Sequence, residues 1–131
     1  MKKTSLINAP ISTVIAELGH LDTLTIADAG LPIPKEVHRI DLALTKGITG
    51  FIDTLQVVLS EMQVEKAIVA DEMKQISPNI LTKVQHLLGE IPIDFVPHQH
   101  FKDHTKLSRA IIRTGEFTPY ANIILVSGVV F

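Results

Sequence analysis

At 131 residues, with 46% apolar and 20% charged positions, the chain has the length and balance of one globular domain spanning residues 1–131, and disorder is not expected. A formal charge of −2, with no basic run longer than Lys2-Lys3, argues against nucleic acid as a partner. The absence of cysteine removes disulfides, thiolate metal ligands and a cysteine nucleophile from consideration.

The opening resembles a secretory leader only faintly, because Asn8, Pro10, Ser12 and Glu17 interrupt any apolar core. No later stretch approaches the roughly 20 apolar residues that a membrane span needs. A cytoplasmic protein with no membrane partner is therefore expected. Ile11, Val14, Ile15 and Leu18 repeat at helical spacing between the start signals Asn8 and Pro10 and the stop at Gly19, predicting a short first helix. Leu24 to Ala27 reads as a strand and runs into the turn-rich segment Asp28 to Pro34. The alternation of Ile40, Leu42 and Leu44 predicts a half-buried strand, followed after Gly47 and Gly50 by a helix carrying Phe51, Leu55, Leu59 and Met62 on one side.

Ala67 to Ala70 has the uniformly apolar character of a strand covered on both faces. Ser77-Pro78 opens a further helix, with Ile80, Val84, Leu87 and Leu88 as its stripe and Gly89 as its end. Ile91 to Val96 is expected as a strand, residues 98 to 107 as a polar, His-rich helix, and Ala110 to Ile112 as another strand. Asn122 to Val126 and Val129 to Phe131 are expected to close the chain as strands. Strands alternating with helices predict a three-layer α/β/α domain with a mainly parallel sheet.

Ligands of such sheets bind beyond the carboxyl ends of the strands, which directs attention to Asp28, His98 and the segment Arg113 to Glu116. Each has a plain alternative. Asp28 suits a turn or cap, and His20, just past Gly19, suits a helix C-cap, although only histidine ordinarily titrates near neutral pH. His100 and His104 would share a helix face, but no third ligand falls at matching spacing, so no metal is expected. Phosphate-binding glycine loops and the serine hydrolase elbow are missing. Thr118 to Asn122 serves equally as a turn or as a source of donors and acceptors for sugar hydroxyls.

Three blocks in order decide among these readings: Leu18-Gly19-His20, Thr25 to Pro34 with its Asp28-Ala29-Gly30 turn, and Arg113 to Asn122. Together they resemble the D-ribose pyranases, which share a fold with the L-fucose mutarotases. The resemblance implies interconversion of the pyranose and furanose forms of D-ribose, with His20 as proton donor. It also implies sugar contacts from Asp28, His98, Tyr120, Ala121 and Asn122, with Ala121 contributing backbone and His100 a near alternative to His98. Gly30-Leu31-Pro32-Ile33-Pro34 favours the ribose branch over the fucose branch. The implied partner is a second copy of the chain, in a homo-oligomeric decamer of stacked pentameric rings with sites near subunit boundaries. No cofactor is expected, because ring opening and reclosure need only acid–base groups. Two other readings stay in view, a non-catalytic ribose-binding subunit that assists uptake and an L-fucose mutarotase. His20 precedes its strand and Asp28 follows it, so the two side chains would lie about 15 Å apart on one chain. Either the loop from Asp28 to Pro34 folds back or a neighbouring subunit supplies part of the pocket, and the ring assembly that the resemblance implies favours the second.

Overall fold

A computed structural model describes all residues, 1–131. The elements in chain order are α1 (Ala9–Glu17), β1 (Thr23–Ala27), β2 (His38–Asp41), α2 (Phe51–Leu59), β3 (Val64–Ala70), α3 (Met73–Ile76), α4 (Pro78–Leu88), β4 (Ile93–Val96), α5 (His98–Thr105), β5 (Ala110–Arg113) and β6 (Ile123–Ser127). The six strands form one sheet in the order β2-β5-β1-β6-β3-β4. All pairings are parallel except those of β6, which runs antiparallel between β1 and β3. The expected mainly parallel α/β/α architecture is what the chain adopts.

The local signals explain most of the elements. Asn8 Oδ1 accepts from Ile11 N at 3.0 Å and caps α1, with Pro10 in its first turn. Pro78 opens α4, and Gly89 closes it at φ 58°, a conformation that costs glycine nothing. β6 is buried at every position, as a central strand covered on both faces must be.

The two faces are covered unequally. Leu24 and Ile26 of β1, Ala67 and Val69 of β3 and Ile123 and Leu125 of β6 meet Ile11 and Val14 of α1, Phe51, Leu55 and Val58 of α2, and Leu81, Val84 and Leu88 of α4. On the other face Ala27, Ile68, Ile111 and Ile124 are covered by Phe101 of α5 and by Leu31 from the loop after β1.

Four expectations need correction. β2 ends at Asp41 rather than running on through Leu44, because after Leu42 N bonds to Arg113 O the chain leaves the sheet edge, and Leu44 is exposed. Met62 lies beyond the end of α2, although it is still buried in the core. β4 begins at Ile93 instead of Ile91, and Pro92 just ahead of it only accepts, from Ala67 N. Val129 to Phe131 form no strand, since they follow β6, which is already paired on both sides in the middle of the sheet. One element, the single-turn α3, had no signal in the sequence.

Candidate active site

Because β6 runs against its neighbours, the residues that precede it reach the same end of the sheet as those that follow β1, β3 and β4. Asp28 and Asn122 meet there. Asp28 N donates to Asn122 Oδ1 and Asn122 Nδ2 donates to Asp28 Oδ2, both at 2.8 Å. The other carboxylate oxygen of Asp28 accepts from Gly30 N at 2.9 Å, which folds the Asp28-Ala29-Gly30 turn onto its own side chain. Asn122 is buried and Asp28 half-buried, so the pair is a fixed polar floor, with lone pairs of Asp28 still available to hydroxyl donors.

Tyr120 takes a left-handed backbone at φ 61°, and Asn122 N bonds back to Tyr120 O at 2.8 Å around the buried Ala121. A left-handed tyrosine is uncommon and costs about 1–3 kcal/mol. The turn brings its ring edge-on to the His98 imidazole, with centroids 5.0 Å apart. His98 also stacks at 6.2 Å on the buried Phe101, one turn further along α5. Its backbone N is held by both oxygens of Glu72, at 3.0 and 3.1 Å, a carboxylate at the N-terminus of α5 that the preceding Pro97 cannot replace as a cap. His98 Nδ1 is buried without a protein partner, which leaves it open to a hydrogen bond from outside the chain. His100 is exposed and adjoins a different concavity, shared with Asp103, His104 and Leu107.

Beside Asp28 a concavity of about 390 Å³ is lined by Gly30, Arg113, Glu116 and Thr118 among others. Arg113 Nε donates to Ala29 O at 3.1 Å and Nη1 to Asp41 Oδ2 at 3.0 Å, tying the turn after β1 to β5 and β2. Burial pushes the Glu116 carboxyl up, but hydrogen bonds donated by Thr118, Phe51 N and Phe117 N outweigh it and hold the group below its ordinary value.

His20 is elsewhere. It sits in the tight turn from Gly19 to Asp22, closed by Gly19 N to Asp22 Oδ2 at 2.8 Å and by the left-handed Leu21, whose N bonds to Ser127 O. Its Nε2 lies 2.9 Å from Glu65 Oε2, at the start of β3. A concavity of about 460 Å³ surrounds it, lined also by Ile15, Gln63, Gly128 and Val129 to Phe131. Asp28 therefore does not orient the His20 of its own chain. The five expected sugar contacts, Asp28, His98, Tyr120, Ala121 and Asn122, fall at one end of the sheet and the expected proton donor at the other.

Two carboxylates escaped the reading of the sequence. Glu72 follows a strand, as Asp28 and His98 do, and the same rule applied after β3 finds it. Glu65 carries no comparable mark.

This end of the sheet thus brings together a carboxylate–amide pair, an aromatic ring and an imidazole, polar groups of the kind that orient a small ligand. The sequence profile of the RbsD / FucU transport protein family matches residues 1–130, and the chain belongs to that family. A protein named D-ribose pyranase from Coprothermobacter proteolyticus is 60% identical over the full length of both chains. The structure of RbsD from Bacillus subtilis complexed with D-ribose superposes with a TM-score of 0.97 at 46% identity, covering all of both chains. The fucose mutarotase of Streptococcus pneumoniae in complex with L-fucose shares the fold, at a TM-score of 0.86 and 24% identity over all of both chains.

Proposed function

We propose that this chain is a D-ribose pyranase, interconverting the pyranose and furanose forms of D-ribose by acid–base ring opening and reclosure. One observation carries the reading: Asp28 bonded to Asn122, and Tyr120 against His98, lie at the same end of the sheet in a chain 60% identical, end to end, to a protein named for that activity. Opening the pyranose ring passes the proton of the anomeric hydroxyl to a general base, breaks the bond from C1 to the ring oxygen and delivers a proton from an acid to that oxygen. The aldehyde then recloses through the 4-hydroxyl. We assign His20 as the group that protonates the ring oxygen, since an imidazole exchanges protons near neutral pH. Asp28, Asn122 and Tyr120 hold hydroxyls and His98 Nδ1 takes a further one, while Ala121 shapes the turn between them. Acid–base groups contribute about 10² to 10⁴ in rate, enough for a reaction that already proceeds slowly in water.

The separation of His20 from Asp28 along β1 supports a site shared between two chains, with His20 of one copy facing the sugar end of the next. Contacts that join one end of a subunit to the other end of its neighbour are heterologous, and a suitable rotation closes them into a ring. Exposed apolar side chains stand at both ends, Val130 and Phe131 beside His20 and Phe117 beside Asp28. We extend the reading to a cytoplasmic decamer of two stacked pentameric rings, the assembly the resemblance implies. No helix is long and apolar enough to cross a membrane.

Saturation-transfer NMR on D-ribose with catalytic protein tests the activity. Faster exchange between pyranose and furanose resonances is expected, and its loss in a folded His20→Ala protein. Ribose binding without acceleration would establish the uptake subunit instead, and acceleration confined to L-fucose the mutarotase.

A further inference from the structure

Glu65 occupies an irregular place in the sheet. Along β6 and β3 the paired residues are Val126 with Lys66 and Ser127 with Val64, so two adjacent positions on β6 face positions two apart on β3. Glu65 is the extra residue of a β-bulge. The core confirms the change of phase. Val64, Ala67 and Val69 all pack into the larger cluster, whereas residues 64 and 67 of an unbroken strand would point to opposite faces. A bulge bends its strand and re-aims a side chain, and bulges concentrate beside active sites.

The side chain it re-aims meets His20, with Glu65 Oε2 at 2.9 Å from His20 Nε2. The backbone behind Glu65 is closely packed: Gly128 N bonds to Gln63 O at 2.9 Å, and a Cβ at Gly128 would stand 3.2 Å from the Glu65 Cβ. Nearby charges have other partners. Lys66 pairs with Asp94 at 3.1 Å, and Glu61, which lines the same concavity, pairs with Lys2 at 3.6 Å. His20 is the only ion-pair partner of Glu65.

We propose that Glu65 is a positioning residue that fixes the tautomer of His20, so that Nδ1 is the nitrogen exchanging its proton with the sugar. The inference rests on the assignment of His20 as the acid. A carboxylate only accepts, so the neutral imidazole keeps its proton on Nε2 and leaves the lone pair on Nδ1. The imidazolium form carries a proton on each nitrogen. It gives the Nδ1 proton to the ring oxygen as the bond from C1 breaks, and returns to the Nε2–H tautomer still paired with Glu65. In reclosure Nδ1 takes the proton of the 4-hydroxyl as that oxygen bonds to C1, and the base returns its proton to the aldehyde oxygen. Glu65 itself never touches the sugar. Exposed ion pairs add little to stability, and side-chain exposures of 52% for His20 and 39% for Glu65 put this pair in that class, so folding alone gives no reason for the arrangement.

The test compares wild type, Glu65→Ala, Glu65→Gln and His20→Ala, using NMR exchange kinetics on ribose, the ¹⁵N signals of the His20 ring and thermal melts. Glu65→Ala should keep its melting temperature and lower kcat about 10- to 100-fold, the scale seen when the partner orienting a working histidine is lost. KM should change less than about twofold. The ring should pass from the Nε2–H tautomer to a mixture. Glu65→Gln, whose amide oxygen still accepts, should recover the tautomer and most of kcat. An unchanged tautomer in Glu65→Ala, or kcat within about twofold of wild type while His20→Ala is dead, would overturn the role of Glu65 and leave the pyranase reading standing. Full exchange by folded His20→Ala would instead remove His20 as the acid, and Glu65 with it.

Discussion

Glu116 joins the loop after β5 to the start of α2 through one carboxylate. Its Oε1 accepts from Thr118 N at 3.1 Å and from Thr118 Oγ1 at 2.8 Å, while Oε2 faces Phe51 N, at the start of α2, at 3.5 Å. Burial opposes its charge, yet these donors lower the pKa from its ordinary value of 4.5. A carboxyl lowered on folding contributes stability that is fully present above the unfolded value and is lost as the pH falls through the folded one. Glu116→Gln should therefore be less stable than wild type at neutral pH, with a deficit that narrows as the pH is taken down to about 3. Asp41, also lowered, by Ala43 N and Arg113 against the opposing effect of burial, is common to both proteins and cancels in the comparison. Urea midpoints across that range provide the check, and a deficit that stays constant with pH would count against it.

The loop from Leu42 to Gly50 is held to the end of β5 by Gly47 N to Gly115 O at 2.7 Å and Gly115 N to Thr49 O at 2.8 Å. A Cβ at Gly115 would collide with the carbonyl oxygens of Thr45 and Ile48, which are backbone and cannot swing away. Gly115→Ala should then cost about 1–3 kcal/mol, the usual price of overpacking, and a thermal melt will show it. Nothing in the sequence distinguishes this glycine from a turn residue, because the atoms it must avoid lie some 70 positions away. Local chemistry was far more legible. α1 and α4 announce themselves through Asn8, Pro78 and Gly89, and β1, β3, β5 and β6 through short apolar runs bounded by turn residues. Alternation misled at Leu44, where apolar spacing continues after the strand has left the sheet, and at Val129 to Phe131, where an apolar run follows a strand already paired on both sides. Asp28 and His98 were legible as residues that follow strands. Spacing left Tyr120 to Asn122 undecided, because they precede a strand and only its reversed direction, set by tertiary pairing, carries them to the same edge. The bulge at Glu65 was hidden in the phase between Val64 and Ala67.

At the scale of the molecule, the placement of His20 and of Asp28 and Asn122 at opposite ends of the sheet underlies the proposed site shared between neighbouring chains, and the proposal has a direct test. His20→Ala and His98→Ala chains should each be inactive alone. Mixed in equal amounts through unfolding and refolding, they should regain about a quarter of wild-type activity, since one site in four then combines an intact His20 with an intact His98. His98 suits this test better than Asn122, whose buried amide completes the pair with Asp28. Inactive hybrids, with mixed composition established by mass spectrometry, would exclude the shared site. The direction of β6 has one more effect, on the order in which the chain can assemble. β2, β5 and β1 form one ribbon and β3 with β4 another, and within the sheet only β6 is hydrogen-bonded to both. Of the eleven elements, the one that unites the sheet is the last the ribosome makes. Until residues 123 to 127 are available, β1 and β3 each present an unpaired inner edge, and such edges invite pairing with other chains. Closure then depends on contacts between distant parts of the sequence, the kind that form slowly. A nascent chain stalled short of Ile123 would hold two half-sheets with no strand between them, linked only by the helices that pack across both.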